Sequence, residues 1–75
     1  MATVEFYRER AAQASRDADQ ATLANVRERH LVARDTWTEM ADKAEGVIAS
    51  RAAAEAEKLA MQQANALLEL DAAHS

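Results

Sequence analysis

The chain has 75 residues, a formal net charge of −4 and no cysteine. Its length limits it to one small domain, in the size range where a single hydrophobic core is only marginally sufficient. The lack of cysteine excludes disulfides and thiolate metal sites, and no apolar run approaches the roughly 18 residues needed to cross a bilayer. Acidic and basic residues are intermixed along the chain, a pattern typical of a solvated helix surface. No half of the chain is basic, as specific nucleic-acid binding would need.

Helix formers dominate the sequence and helix breakers are nearly absent, with 20 alanines, no proline and one glycine, Gly46. This composition predicts an all-α protein. Because alanine contributes so much of the apolar content, a monomer buries little large side-chain area, and we expect a homo-oligomer, with a dimer favoured. The first residues lack the pattern of a signal peptide, so we expect a cytoplasmic protein that does not enter a membrane.

The first predicted helix begins after Thr3, a suitable N-cap, and Glu5 complements the positive end of its dipole. Small or apolar residues then recur at spacings of three and four, the period of one helix face. We call this set the alanine stripe: Val4, Tyr7, Ala11, Ala14, Ala18 and Ala21. Such a stripe lets another backbone approach closely but buries little area by itself.

A second set with the same period, the central stripe, is the strongest signal in the chain. It comprises Leu23, Val26, His30, Ala33, Trp37, Met40, Ala44 and Val47. The step from Ala21 to Leu23 is two residues, which turns the apolar face by about 200° on a straight helix. Polar residues at Asp17–Thr22 permit a break there, but no glycine or proline demands one. We therefore expect one helix over about 3–45, with the central stripe as its core.

Gly46 is the strongest interruption of the helical pattern. It occupies the position of a glycine that closes a helix, and Ser50 is a suitable N-cap for the next one. The sequence thus predicts a turn at 46–50 and a second helix over about 51–72, within one domain of residues 1–75. The second helix adds Leu59, Leu67 and Leu70 to the predicted core and self-association surface.

These elements predict a long-helix hairpin that pairs as a homodimeric helical bundle. Two alternatives stay open. A three-helix bundle results if the chain also breaks near Asp17–Thr22. A continuous coiled coil results if the helix runs through Gly46, at a cost of about 1 kcal/mol.

No residue pattern indicates catalysis, a cofactor or a metal ion. His30 has no second ligand three or four residues away, and a single glycine cannot build a phosphate-binding loop. The carboxylates between Glu28 and Asp42 fit ion pairs on a helix surface better than a catalytic pocket. We expect no enzymatic activity.

A second face is a candidate surface for another, unidentified protein. Phe6 lies off the alanine stripe, and Leu31 has a similar angular position on a continuous helix. Arg27 and Arg34 are seven residues apart and share a face. These four residues suggest an alternative function, a regulatory adaptor or inhibitor module. Weak nucleic-acid association through the arginines is a distant third.

Three segments carry a resemblance that covers about residues 6–45. They are FYRERAA at residues 6–12, ATLANVRER at residues 21–29, and the pattern Trp37-x-x-Met40-Ala41. Together they resemble a group of small uncharacterised bacterial all-helical proteins. The resemblance implies a bacterial, cytoplasmic setting and no particular activity. The expected function is that of a small structural or interaction protein that self-associates through helix packing.

Overall fold

The computed structural model describes residues 3–74, which form two α-helices. Helix α1 spans Val4–Gln20 and helix α2 spans Ala24–His74. The molecule is elongated, with extents of 78 × 17 × 15 Å. Its length is set by α2, because 51 residues at a rise of 1.5 Å each span about 76 Å. The prediction of an all-helical protein is confirmed.

Helix α1 begins and ends at residues whose local hydrogen bonds define its bounds. At its start, the Thr3 hydroxyl accepts a hydrogen bond from the backbone N–H of Phe6 at 3.2 Å, as expected of an N-cap. At its end, Ala21 adopts an extended backbone and donates its N–H to the carbonyl of Ala18. The Arg27 guanidinium then donates to the Ala21 carbonyl at 3.0 Å. Arg27 thereby links the first turn of α2 to the end of α1.

The predicted turn at 46–50 is wrong, and so are the predicted helices over 3–45 and 51–72. The chain instead reverses at residues 21–23, and Gly46 lies inside α2 without a positive φ angle. The physical reason is the two-residue step from Ala21 to Leu23. A straight helix would turn the two stripes away from each other, whereas a reversal at this step lets them face each other. At Gly46 the surrounding helix formers outweigh the cost of about 1 kcal/mol for one interior glycine.

Helix α1 packs antiparallel against residues 24–48 of α2 in a hairpin-like arrangement, called the hairpin below. The buried residues of the hairpin are all alanines: Ala11, Ala14 and Ala18 from α1, and Ala41 from α2. The alanine stripe is therefore the face of α1 that contacts α2. Because alanine side chains are short, they let the two backbones come close, and the core between the helices is thin.

The central stripe is only partly covered by α1. Its half-buried members are Val26, His30, Ala33, Trp37 and Ala44, and its exposed members are Leu23, Met40 and Val47. The fully buried residue is Ala41, next to Met40, so the covered face is rotated by about one residue from the predicted one. The three exposed residues lie outside the core of a single chain. Their part in self-association stays a prediction.

The second half of α2 has no helix opposite it. Residues 49–74, called the tail below, extend past the start of α1, and the side chains of residues 45–73 are exposed. Leu59, Leu67 and Leu70 lie in this region and are therefore not part of the hairpin core. The tail is therefore the part of the fold whose apolar side chains are most exposed.

Candidate interaction surfaces

Three aromatic rings join the two helices of the hairpin. The Trp37 ring lies 5.9 Å from Phe6 in an edge-to-face arrangement and 6.1 Å from Tyr7 in a stacked one. The Arg10 guanidinium lies 5.1 Å from the Trp37 ring centroid, within the range of a cation–π interaction. Such aromatic pairs contribute about 0.5–1.5 kcal/mol each beyond their buried area. This aromatic cluster therefore supplies much of the specific packing that the alanine core lacks.

Ion pairs around Arg8 fix the register of α1 on α2. Its guanidinium nitrogen Nη2 lies 3.0 Å from Asp42 Oδ1 and 3.0 Å from Glu45 Oε1. Hydrogen bonds to Glu45 and then Asp42 raise the pKa of Arg8 above its ordinary value. The raised pKa favours the charged form, so the folded state gains this contact at ordinary pH and loses it only as pH rises through the Arg8 pKa. Because all three groups are exposed, the contact orients the helices more than it stabilises them.

The residues predicted to contact a partner, Phe6 with Leu31 or Arg27 with Arg34, lie on both helices. Phe6 belongs to the aromatic cluster near the start of α1 and is 43% exposed. Arg27 lies at the other end of α1, where it binds the Ala21 carbonyl. Arg34 is half-buried and pairs with Asp35 at 2.9 Å, and Leu31 is also half-buried.

A polar cleft of about 180 Å³ lies beside His30. It is lined by Arg10, Gln13, Ala14, Asp17, His30, Ala33 and Trp37. Within it, Gln13 donates a hydrogen bond to Asp17 at 2.9 Å, and Arg16 donates to Gln13 at 2.8 Å. Among the described residues, no three His, Cys, Asp or Glu side chains come together in a group that could hold a metal ion. Gln13 and Asp17 thus bind each other, and the arrangement is that of a helix surface.

A second, apolar cleft of about 490 Å³ lies where α1 begins. Its lining residues come from the start of α1 and the middle of α2: Thr3, Val4, Glu5, Ala44, Val47, Ile48 and Arg51. Ile48 was not among the predicted site residues, although it lies seven residues after Ala41 and so shares its helix face. The cleft marks the point where α1 stops covering α2 and the tail begins.

The face of α2 that α1 covers continues along the tail. Leu59 lies 18 residues after Ala41, which is about five turns, so both residues point in the same direction. Leu70 lies 11 residues, or about three turns, further on and therefore points in nearly the same direction. In the hairpin this face carries the fully buried Ala41, whereas in the tail Leu59 is 52% and Leu70 58% exposed. The apolar face of the tail is thus an extension of the face that forms the hairpin core.

No protein-family model matches the chain, and neither the curated proteins nor the solved structures provide a match. In the part of the chain that the structure describes, neither helix is long and apolar enough to cross a membrane. The surfaces available for a functional inference are therefore the aromatic cluster, the two clefts and the apolar face of the tail.

Proposed function

We propose that this chain is a small structural or interaction protein, without catalysis of its own, that self-associates as a homodimer through helix packing. The observation that carries the proposal is the exposed apolar face of the tail, which extends the face covered by α1. Burying one large apolar side chain contributes roughly 1.5–3 kcal/mol. Leu59 and Leu70, both on this face, gain that contribution when another helix covers them.

The tail also needs a packing partner for its own stability. Isolated helices are marginally stable in water, and most helical stability in proteins comes from packing of an amphipathic face. The side chains of residues 49–73 are exposed. A second copy that covers the tail supplies the missing packing.

Sedimentation equilibrium over a wide concentration range, with circular dichroism melting on the same samples, tests the proposal. We expect the mass of a dimer and a melting temperature that rises with concentration, because association stabilises the folded state by mass action. A monomer mass at every concentration, with a melt that does not depend on concentration, would contradict self-association.

The tail face is tested by a Leu59→Ala/Leu70→Ala variant, with Leu68→Ala as its matched control. Leu68 is as exposed as its neighbour Leu67 but lies 27 residues after Ala41, about seven and a half turns, and so points to the opposite side. We expect the double variant to sediment as a monomer at concentrations where the control and the native chain are dimers. Dimers of unchanged affinity in the double variant would exclude the tail face as the self-association surface.

A second candidate is the regulatory adaptor or inhibitor module. It is favoured by the exposure of Phe6, which lies at one edge of the aromatic cluster. It has less support than self-association because Phe6 and Leu31 lie on different helices and Arg34 already pairs with Asp35. Binding of a different protein that survives Phe6→Ala would place the adaptor surface elsewhere. Nucleic-acid association, if present, would weaken steeply with added salt.

A further inference from the structure

The position of α1 restricts how a second copy can lie on the tail. Packed helices have axes about 8–10 Å apart, which leaves no space for another helix between them. In a parallel pair joined by the tail face, α1 and its copy would both occupy the space between the two α2 helices. An antiparallel pair places the two hairpins at opposite ends, where they do not collide.

The apolar stripe of the tail has the same spacing in both directions. It comprises Ala52, Ala56, Leu59, Gln63, Ala66 and Leu70, at steps of four, three, four, three and four. This is the a/d pattern of a coiled coil, in which two helices pack knobs into holes. The stripe can be placed antiparallel on the same stripe of a second copy. Each stripe residue then faces the stripe residue of the other copy for which the two residue numbers add up to 122.

We infer that a second copy of this chain docks antiparallel on the tail, with Ala52 facing Leu70, Ala56 facing Ala66, and Leu59 facing Gln63. The inference rests on the proposed self-association and specifies its surface, direction and register. Each leucine faces a smaller or polar side chain, so the stripe does not place leucine on leucine. A parallel pair would instead stack identical residues, with wide Leu–Leu layers beside narrow Ala–Ala layers.

The register also fits the extent of α1. Residue 74 of the second copy comes opposite Ile48, which lines the apolar cleft together with Thr3 and Val4. The tail of the second copy therefore begins to cover α2 at the position where α1 stops covering it. The same face of α2 is then covered along its length, first by α1 and then by the second copy.

One charged pair distinguishes this register from a parallel one. Glu55 and Glu69 lie on the same edge of the stripe, one residue before Ala56 and Leu70. In the antiparallel register, Glu55 of one copy lies near Glu69 of the other, and the two like charges oppose association. In a parallel pair Glu55 lies near Ala60 of the other copy, which carries no charge.

Disulfide formation between single-cysteine variants tests the register, because the native chain has no cysteine. Ala56→Cys and Ala66→Cys are prepared separately and oxidised alone and as a mixture, and the products are identified by mass. We expect the mixed disulfide to dominate and each variant alone to stay uncrosslinked, since equivalent residues lie about ten positions apart in the antiparallel register. Ala54→Cys and Ala64→Cys, on the opposite side of the helix, are the control for random collision.

The other outcomes of the crosslinking test show whether the register alone or also the proposed function is wrong. If each variant crosslinks to itself and the native chain sediments as a dimer, the antiparallel register is wrong and self-association stands. If no variant crosslinks above the control and the chain is still a dimer, the tail is not the surface. A monomer mass for the native chain overturns the proposed function together with the register.

Charge exchange gives an independent readout that needs no crosslink. Glu55→Lys places a lysine near Glu69 of the second copy, and we expect the dissociation constant of the dimer to fall several-fold at low salt. Glu55→Lys/Glu69→Lys restores like charges, and we expect affinity to return toward that of the native chain. A dissociation constant that does not differ between the single and the double variant would overturn the antiparallel register.

Discussion

At the scale of single residues, small side chains hold this hairpin together. The residues with the least exposure are alanines, and the large side chains that contact across the helices are the aromatic cluster around Trp37. An alanine contributes little buried area, but it determines how close two helices can approach. Size at these positions therefore matters more than hydrophobicity.

Enlarging a buried alanine is expected to push the helices apart. Ala18 is 2% exposed on the face of α1 that contacts α2, and overpacking of this kind costs typically 1–3 kcal/mol. We expect Ala18→Leu to lower the free energy of unfolding by about that amount, measured by urea denaturation. Ala12→Leu, on the exposed side of the same helix, is the control, and equal effects of the two substitutions would contradict the packing described for α1.

Removing the central ring of the aromatic cluster is expected to weaken the hairpin. Trp37 contacts Phe6 and Tyr7 and carries the Arg10 guanidinium on its face. Because Trp37 is half-buried, we expect Trp37→Ala to cost about 3 kcal/mol, the lower end of the range for large aromatic truncations. Trp37→Phe keeps an aromatic ring at the site and should cost less. Thermal melts at one fixed concentration measure both, and an unchanged melt for Trp37→Ala would exclude Trp37 from the core.

At the scale of elements, the account depends on where the chain turns. Residues 21–23 reverse the chain without a glycine or a proline, whereas Gly46 lies within a continuous helix. The turn is determined by the mismatch of the two apolar stripes and by the hydrogen bonds of Ala21 and Arg27 at the end of α1. Gly46 is then a weak point of α2 and not a hinge.

Replacing this glycine is expected to stabilise the protein. A Cβ atom added at Gly46 meets nothing within 4 Å, and alanine is favoured over glycine in a helix interior by about 1 kcal/mol. We expect Gly46→Ala to raise the free energy of unfolding by about that amount in urea denaturation. Ala54→Gly, at an exposed position of the same helix, should lower it by a similar amount. A destabilised Gly46→Ala variant would indicate a turn at this residue.

The sequence allowed the helical class, the Thr3 cap and the alanine stripe to be predicted, because each depends on local pattern. It did not identify the turn, because the polar residues at Asp17–Thr22 only permit a break and Gly46 is a stronger local signal. What decided between them was which arrangement buries both stripes, a property of the folded chain. The same reason explains why Ala41 was missed as a member of the covered face, since the periodic pattern alone favours Met40.

The predicted partner surfaces also depend on how the chain folds and not only on local sequence pattern. Phe6 was grouped with Leu31 by their similar angle on one continuous helix, and Arg27 with Arg34 by their spacing of seven residues. Once the chain turns at 21–23, Phe6 lies on α1 and Leu31 on α2, so the shared angle no longer places these two residues together, whereas Arg27 and Arg34 stay on one helix. The exposed tail face was accessible from the sequence, because its leucines already follow the helical period.

At the scale of the whole molecule, the two helices differ threefold in length, with 17 residues in α1 and 51 in α2. Helix α1 covers about half of α2 and leaves the tail exposed. In the proposed dimer each tail covers the other, so the assembly has a hairpin at each end and an antiparallel helix pair at its centre. The function proposed for this protein is the formation of that elongated assembly.

Small-angle scattering in solution, which reports mass and maximum dimension together, is the most direct test of this account. The register in which facing residue numbers add up to 122 predicts a dimer about 110 Å long, from residue 24 of one copy to residue 24 of the other. A particle with the mass of one chain and a length near the 78 Å of the single molecule would contradict self-association. A dimer no longer than one molecule would contradict antiparallel pairing through the tails.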